Sequence, residues 1–142
     1  MIDNIPYVPI SWGELIDKIT ILEIKSIRIT SATAVAYVRF ELDLLNEKAS
    51  QLIISKPDLQ KLKQDLILVN QALWEIEDKI RDKEVVADFG SEFIDLARSV
   101  YKTNDRRAAI KREINFLLKS KLMEEKSYSG LNRPQFSGGH LV

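Results

Sequence analysis

Apolar residues recur along most of this chain at alternating spacings of three and four, the period of one helix face turned toward a core. In "SWGELIDKITILEIKSIRI" an apolar arc runs through Trp12, Leu15, Ile16, Ile19 and Leu22, and "SWGE" reads as a capping box in which the Ser11 hydroxyl and Glu14 carboxylate satisfy orphan amides. "TSAT" ends this first helix near Ile29. A second helix carries Val35, Val38, Leu42, Leu45, Ala49 and Leu52 on one seam. "SKPD" marks a turn, with Ser55 as cap and Pro57 pre-set for a first helical turn. The third helix, to about Lys83, repeats Leu59, Leu62, Leu66, Val69, Leu73, Ile76 and Ile80 without interruption. Gly90 breaks the pattern and Ser91 is placed to cap a fourth helix from Glu92 to about Lys119.

No β-alternation appears, and short connections leave no room for crossovers. The pattern therefore predicts an all-α, antiparallel up-down four-helix bundle. Residues 1–10, held by Pro6 and Pro9, are expected to form an extended arm, residues 11–128 the bundle, and residues 129–142, rich in Gly, Ser and Pro, a flexible tail. Seams this regular can also pair between chains, so a homodimer is expected.

One face contradicts its own pattern. On the fourth helix the arc defined by Phe93, Ala97, Val100 and Tyr101 continues through Asn104, Ala108, Lys111 and Asn115, with Arg107 and Ile114 at its border. Amides and cations thus replace apolar groups on a face aimed at the core. On the first helix Glu23 projects between Ile19 and Ile16, and on the third Asn70, Trp74, Glu77 and Arg81 form a second stripe beside the leucine seam. Reflecting levels about the turns predicts three contacts: Glu23 with Arg107 or Asn104, Glu14 with Lys111 or Asn115, and Asn70 with Asn104.

Two readings of the cluster stay open. Buried charges persist only when paired, hydrated or used, so the cluster is either a polar layer that fixes register or a pocket of cations and amides suited to an anionic small molecule. The candidate ligand-binding set is Glu14, Glu23, Asn70, Trp74, Glu77, Arg81, Asn104, Arg107, Lys111 and Asn115; no catalytic residue, metal or cofactor is assigned. Three ExxD pairs, Glu14 with Asp17, Glu75 with Asp78 and Glu92 with Asp95, invite Mg²⁺ chemistry, but the last two point away from their seams and read as solvated faces. His140 lies in the tail. "MEEKSY", residues 123–128, reads as a frayed end or as a flap closing on the Lys111 end.

Composition narrows the classes. Lys plus Arg and Asp plus Glu number 21 each among 142 residues, so no basic field favours nucleic acid or a membrane surface. The absence of Cys excludes thiol and disulfide chemistry and agrees with a cytoplasmic setting, as does the lack of a signal-like start or an apolar run of membrane length.

The strings "SWGELIDKITILEIK", "NxxLWxIEDKIR", "FIxLARxVYxxNDxRAxxKxxIN" and "EEKSY" resemble a family of small uncharacterised helical proteins from bacteria, over Ile10 to Tyr128. That resemblance implies a single domain, no known activity, and, through an association with surface-glycan genes, a sugar-related ligand or glycan-pathway partner. A looser similarity to helical chorismate mutases rests on Arg81, Arg107 and Lys111 as cations able to orient a dianion. The two functional expectations are a non-catalytic binding or accessory module, and a small enzyme or anion binder using the cluster.

Overall fold

The structure, a computed structural model, describes residues 4–127. Its four helices are α1 (Trp12–Arg28), α2 (Ala32–Ser55), α3 (Pro57–Val85) and α4 (Ser91–Leu117), and among the described residues there is no strand. The chain runs up and down as a four-helix bundle. Its expected extension through 129–142, and Tyr128 itself, lie outside the described residues.

The core sits where the start of α1, the end of α2, the start of α3 and the end of α4 converge. Leu15, Ile16, Ile19, Ala49, Leu59, Leu66 and Ile114 are buried together, flanked by Trp12, Leu42, Leu45, Leu52, Leu62 and Ile110. Those of the first three helices come from the seams that the three-four spacing identifies, whereas α4 contributes Ile114 from the border of its arc and Ile110 from outside it. The helices do not contribute equally. α3 and α4 lie along each other, α1 crosses both, and α2 rests on α1, meets α3 sparingly and makes no close approach to α4.

Helix ends depart from expectation in instructive ways. The Ser11 hydroxyl accepts the Glu14 N–H at 3.1 Å, but the Glu14 carboxylate does not return to the cap; it is drawn away to Lys111, a stronger charged partner. Ser55 is the last residue of α2 and donates to the Leu52 carbonyl, so α3 starts from Lys56 without a side-chain cap. Ser91 is the first residue of α4 and Gly90 is its cap. α3 and α4 both finish in Schellman turns, in which Ala87 and Lys119 take left-handed φ values of 54° and 52°. In the second, Lys119 N–H donates to the Phe116 carbonyl at 3.2 Å and Ser120 N–H to the Asn115 carbonyl at 2.8 Å.

Gly13 is where α1 touches α4. A Cβ at this position would stand 2.4 Å from the Lys111 carbonyl oxygen and 3.0 Å from Asn115 Oδ1, so only glycine lets the two backbones meet. Ala is the better helix former, yet the clash is with backbone that cannot swing aside. Gly13→Ala is therefore expected to destabilise the fold by about 1–3 kcal/mol, read by urea denaturation. A variant as stable as the wild type would show that α1 can lift off α4 at no cost.

Candidate functional site

The polar face of α4 is a docking strip for the first turns of α1. Asn115 Oδ1 accepts the Gly13 N–H at 2.7 Å, and the Ser120 hydroxyl accepts the Trp12 N–H at 3.4 Å. With Ser11 serving Glu14, three of the orphan amides at the start of α1 find side-chain acceptors, two of them supplied by the end of α4. One turn back on α4, Lys111 Nζ donates to Glu14 Oε2 and to Glu124 Oε2, both at 2.8 Å. Another turn back, the Arg107 guanidinium engages Asp17: Nε donates to Oδ1 at 3.0 Å and Nη2 donates to Oδ2.

Asp17 is fully buried and is the centre of the cluster. Its Oδ1 also accepts Asn70 Nδ2 at 2.9 Å, and the same amide donates to Thr20 Oγ1 at 2.9 Å, while that hydroxyl donates to the Asp17 carbonyl. Three helices therefore close on one carboxylate. No buried side-chain nitrogen or oxygen among the described residues lacks a partner.

The expected contacts are partly met. Glu14 meets Lys111 as expected, and Asn115 meets the backbone two residues from Ser11. Glu23 contacts neither Arg107 nor Asn104; it accepts from Lys63 Nζ at 2.7 Å. Asn70 contacts Asp17 and Thr20 in place of Asn104. The pairs Asp17 with Asn70, Glu23 with Lys63 and Arg28 with Glu75 do not advance in step, so α1 lies obliquely across α3 and the levels expected from parallel helices fail. Asp17 and Thr20 were outside the candidate set, although Gly13, Asp17, Thr20 and Ile24 form a stripe at spacings of four, three and four that marks the α4-facing side of α1.

The remaining candidates gather elsewhere. Where α1 ends, an open cleft of about 530 Å³ is lined by Asn70, Trp74, Glu77 and Arg81 of α3, Asn104 and Arg107 of α4, and Ile21, Ile24 and Lys25 of α1. Arg81 holds Glu77 at 3.5 Å on the outer rim. The Asn104 amide, the Lys25 ammonium and the Trp74 indole N–H make no hydrogen bond or ion pair within the described residues. Nine of the ten candidates thus divide between a closed interior network and an open cleft, with Asn70 and Arg107 at the wall between them, while Glu23 belongs to neither and pairs with Lys63.

Beyond α4 the chain folds back. Glu124 reaches Lys111 and Glu125 reaches Arg112 at 3.1 Å, so residues 120–127 strap the lower end of the bundle. Burial by itself would lower the Lys111 pKa, but its hydrogen bonds to Glu124 and Glu14 prevail and hold it above the ordinary value of 10.5. The Lys111 hydrogen bond holds Glu124 below its ordinary 4.5. The Asp17 hydrogen bond raises Arg107 in the same way. Among the described residues no group of three or more His, Cys, Asp or Glu is placed to hold a metal ion, and no helix is long and apolar enough to cross a membrane.

A family model described as a family of unknown function (DUF6165) matches residues 7–137, which takes in all four helices and the strap. The chain belongs to that family. No curated protein and no solved structure matches it. The DUF6165 match covers both the interior network and the cleft, so neither lies in an appendage outside the family's span.

Two predictions follow from this geometry. Removing Asp17 leaves Arg107 half-buried without its partner, so Asp17→Ala is expected to cost roughly 3–5 kcal/mol in urea denaturation. Asp17→Leu combined with Arg107→Met should regain most of that loss, because replacing a buried pair by apolar groups is close to neutral. A single-variant loss no larger than a surface pair, about 1 kcal/mol or less, would contradict the role given to Asp17. The strap titrates. Glu124 has its folded pKa below 4.5, so it stabilises above that pH and its contribution is lost as pH falls through the lowered value. The gap in Tm between the wild type and Glu124→Gln should therefore be present at neutral pH and close in acid; a gap independent of pH would count against the ion pair.

Proposed function

We propose that this DUF6165 chain is a non-catalytic binding module, in which the polar interior serves the architecture and the working surface is the cleft beside the last turns of α1. The observation that carries the reading is the saturation of the interior. The Asp17 carboxylate is taken up by Arg107 and Asn70, Lys111 by Glu14 and Glu124, and Asn115 by Gly13. A general base or nucleophile needs a free face toward a substrate, and these groups keep none.

The groove has a simple origin. α1 has 17 residues while α3 has 29 and α4 has 27, and the last residue of α1, Arg28, meets Glu75. The α3–α4 pair thus runs on past the end of α1, and the last turns of α1 wall the cleft through Ile21, Ile24 and Lys25. The cleft is lined by Leu73 and Trp74 of α3 and Asn104 of α4, and the helical period puts the exposed Ala97 on the same face of α4 as Asn104. A slot shaped by one helix and left open above it suits a second apolar helix face.

A second reading has its own support. The cleft's volume of about 530 Å³ falls within the range for small-molecule pockets, and Lys25 and Asn104 are unengaged beside Trp74. An anionic small molecule with a flat body, such as a sugar phosphate stacked on the indole, is the ligand class it would take. Surface-glycan metabolism, which the family resemblance implies, stays a proposal on the same footing.

Because the chain contains no Cys, single introduced thiols report on the groove without background. Ala97→Cys lies on the face of α4 that the helical period shares with Asn104 of the cleft, and Gln64→Cys on the exposed back of α3. In intact cells the Ala97 thiol is expected to react with a permeant maleimide far more slowly than the Gln64 thiol. Equal labelling of the two would overturn the docking reading.

A further inference from the structure

The helix that the bundle covers least is α2. Among its 24 residues only Ala49 is buried, and Leu42, Leu45 and Leu52 beside it pack on the core. The opposite side carries a second seam, at alternating spacings of three and four from end to end: Tyr37, Phe40, Leu44, Glu47, Gln51 and Ile54. Tyr37 is 75 % exposed, Phe40 59 % and Ile54 68 %. α2 rests on α1 and meets α3 only sparingly, so this outer seam faces away from the bundle.

The charges beside this seam are complementary to a reversed copy of themselves. Glu41 and Lys48 stand seven residues apart on one flank, two turns and about 10 Å, too far to pair with each other. Neither makes an ion pair or hydrogen bond within the described residues. When two identical helices run antiparallel along their seams, each flank faces its own counterpart in reversed order. In the register that uses all six seam positions, Tyr37 meets the partner's Ile54, Phe40 the partner's Gln51 and Leu44 the partner's Glu47. Glu41 then lies beside the partner's Lys48, and the twofold axis makes that ion pair twice. A parallel pair has no such solution, since it sets Glu47 against the partner's Glu47 inside the seam and Glu41 against the partner's Ala36.

We infer that the outer face of α2 is a dimer interface, closed by α2 of a second copy of this chain running antiparallel about a twofold axis. The contact is isologous, so two chains satisfy it and leave no open end. It is separate from the cleft and does not depend on what the cleft binds. At 150–250 Å² per aromatic side chain, the exposed parts of Tyr37 and Phe40 in two chains come to roughly 500 Å². Leu44, Ile54 and the aliphatic stems of Lys48 and Gln51, spread along about 27 Å of paired helix, bring the contact to on the order of 1,000 Å², the lower bound of a specific interface. Glu47 holds the affinity down, because it places a carboxylate on each side of the axis in the centre of the seam. The dimer is accordingly one that dissociates on dilution.

Sedimentation velocity on the full chain tests the face, and the expected result is a concentration-dependent monomer–dimer equilibrium. Phe40→Asp should be monomeric, with circular dichroism and Tm showing that this exposed position leaves the fold intact. Glu47→Leu should tighten the dimer by about tenfold or more, because it turns the two central layers apolar. Glu41→Lys and Lys48→Glu should each weaken it by about tenfold, since either change converts both ion pairs into like-charge contacts. An equimolar mixture of those two variants should recover association, because every flank contact between them joins opposite charges. The chain contains no Cys, so introduced thiols report the orientation. Under oxidation a mixture of Tyr37→Cys and Ile54→Cys chains should form the mixed disulfide, and neither variant alone should cross-link.

A wild-type chain that stays monomeric at every concentration overturns the inference, and so does a Phe40→Asp variant that dimerises as the wild type does. Cross-linking of Tyr37→Cys to itself would assign the face to a parallel pair, and a mixture that yields no mixed disulfide would remove the antiparallel register. Association untouched by Glu41→Lys would overturn the charge pairing on which that register stands. The reading of the cleft fails separately: equal labelling of the Ala97 and Gln64 thiols removes the docking reading and leaves the α2 dimer standing.

Discussion

One buried carboxylate governs how this bundle is assembled. Asp17 has no exposed surface, and an ion taken so far from water costs several kcal/mol unless the interior answers it. Here the answer comes from three helices at once: Arg107 of α4 supplies charge and two donors, Asn70 of α3 a third, and the carboxylate that recruits them sits on α1. Leucine seams tolerate sliding, since one Leu replaces another at little cost. A carboxylate that demands a guanidinium does not. Its gain over an apolar layer is therefore in uniqueness more than in net stability: it sets the oblique course of α1 across α3, which in turn determines where α1 stops covering the α3–α4 pair.

The lower end of the molecule obeys a related constraint. The first N–H groups of α1 point at the end of α4 with no partners of their own helix, and the N-terminal dipole repels cations. Lys111 is nevertheless within reach of that turn. Two carboxylates make this tolerable. Glu14 from α1 and Glu124 from the strap hold the ammonium between them, so the local charge near the helix start is net negative. The Schellman turn at Lys119 completes the arrangement by turning the chain back, bringing Ser120 to the Trp12 amide and Glu124 to Lys111. Cap, ion pair and strap are one device, and each component would be poorly placed without the others.

These features were unequally legible. Helices with α3's uninterrupted leucine spacing declare themselves, because burial against a neighbour leaves a periodic trace in the chain. The misplaced Lys111 and Asn115 on α4 were equally visible, and the pairing of Lys111 with Glu14 follows from their shared level at the start of α1. Glu23 misled for a physical reason. Its partner depends on crossing angle, and an oblique α1 carries it toward Lys63 on the far flank of α3. Asp17 reads in the sequence only as half of an ExxD pair with Glu14, which invites a metal; the company of Gly13 and Thr20 on the same stripe is what marks it as facing α4. The caps at Ser55 and Ser91 failed by one residue each, the distance over which helix ends shift when no side-chain hydroxyl fixes them.

The polar interior and the open groove are consequences of the same inequality in helix length. A bundle of four equal helices would cover α3 and α4 from end to end, and an apolar seam would suffice to hold it. With α1 only 17 residues long, the upper part of the α3–α4 pair has to be soluble alone or covered by something else. Its ion pairs at the tip, Lys83 with Asp88 and Glu92, serve the first requirement. Trp74 does not; it stands half-buried in the cleft that Ile24 and Lys25 of α1 also line. The polar network, by fixing α1 at one height and one angle, keeps that cleft in a constant shape. The buried charge holds the short helix where its last turns form one wall of the cleft.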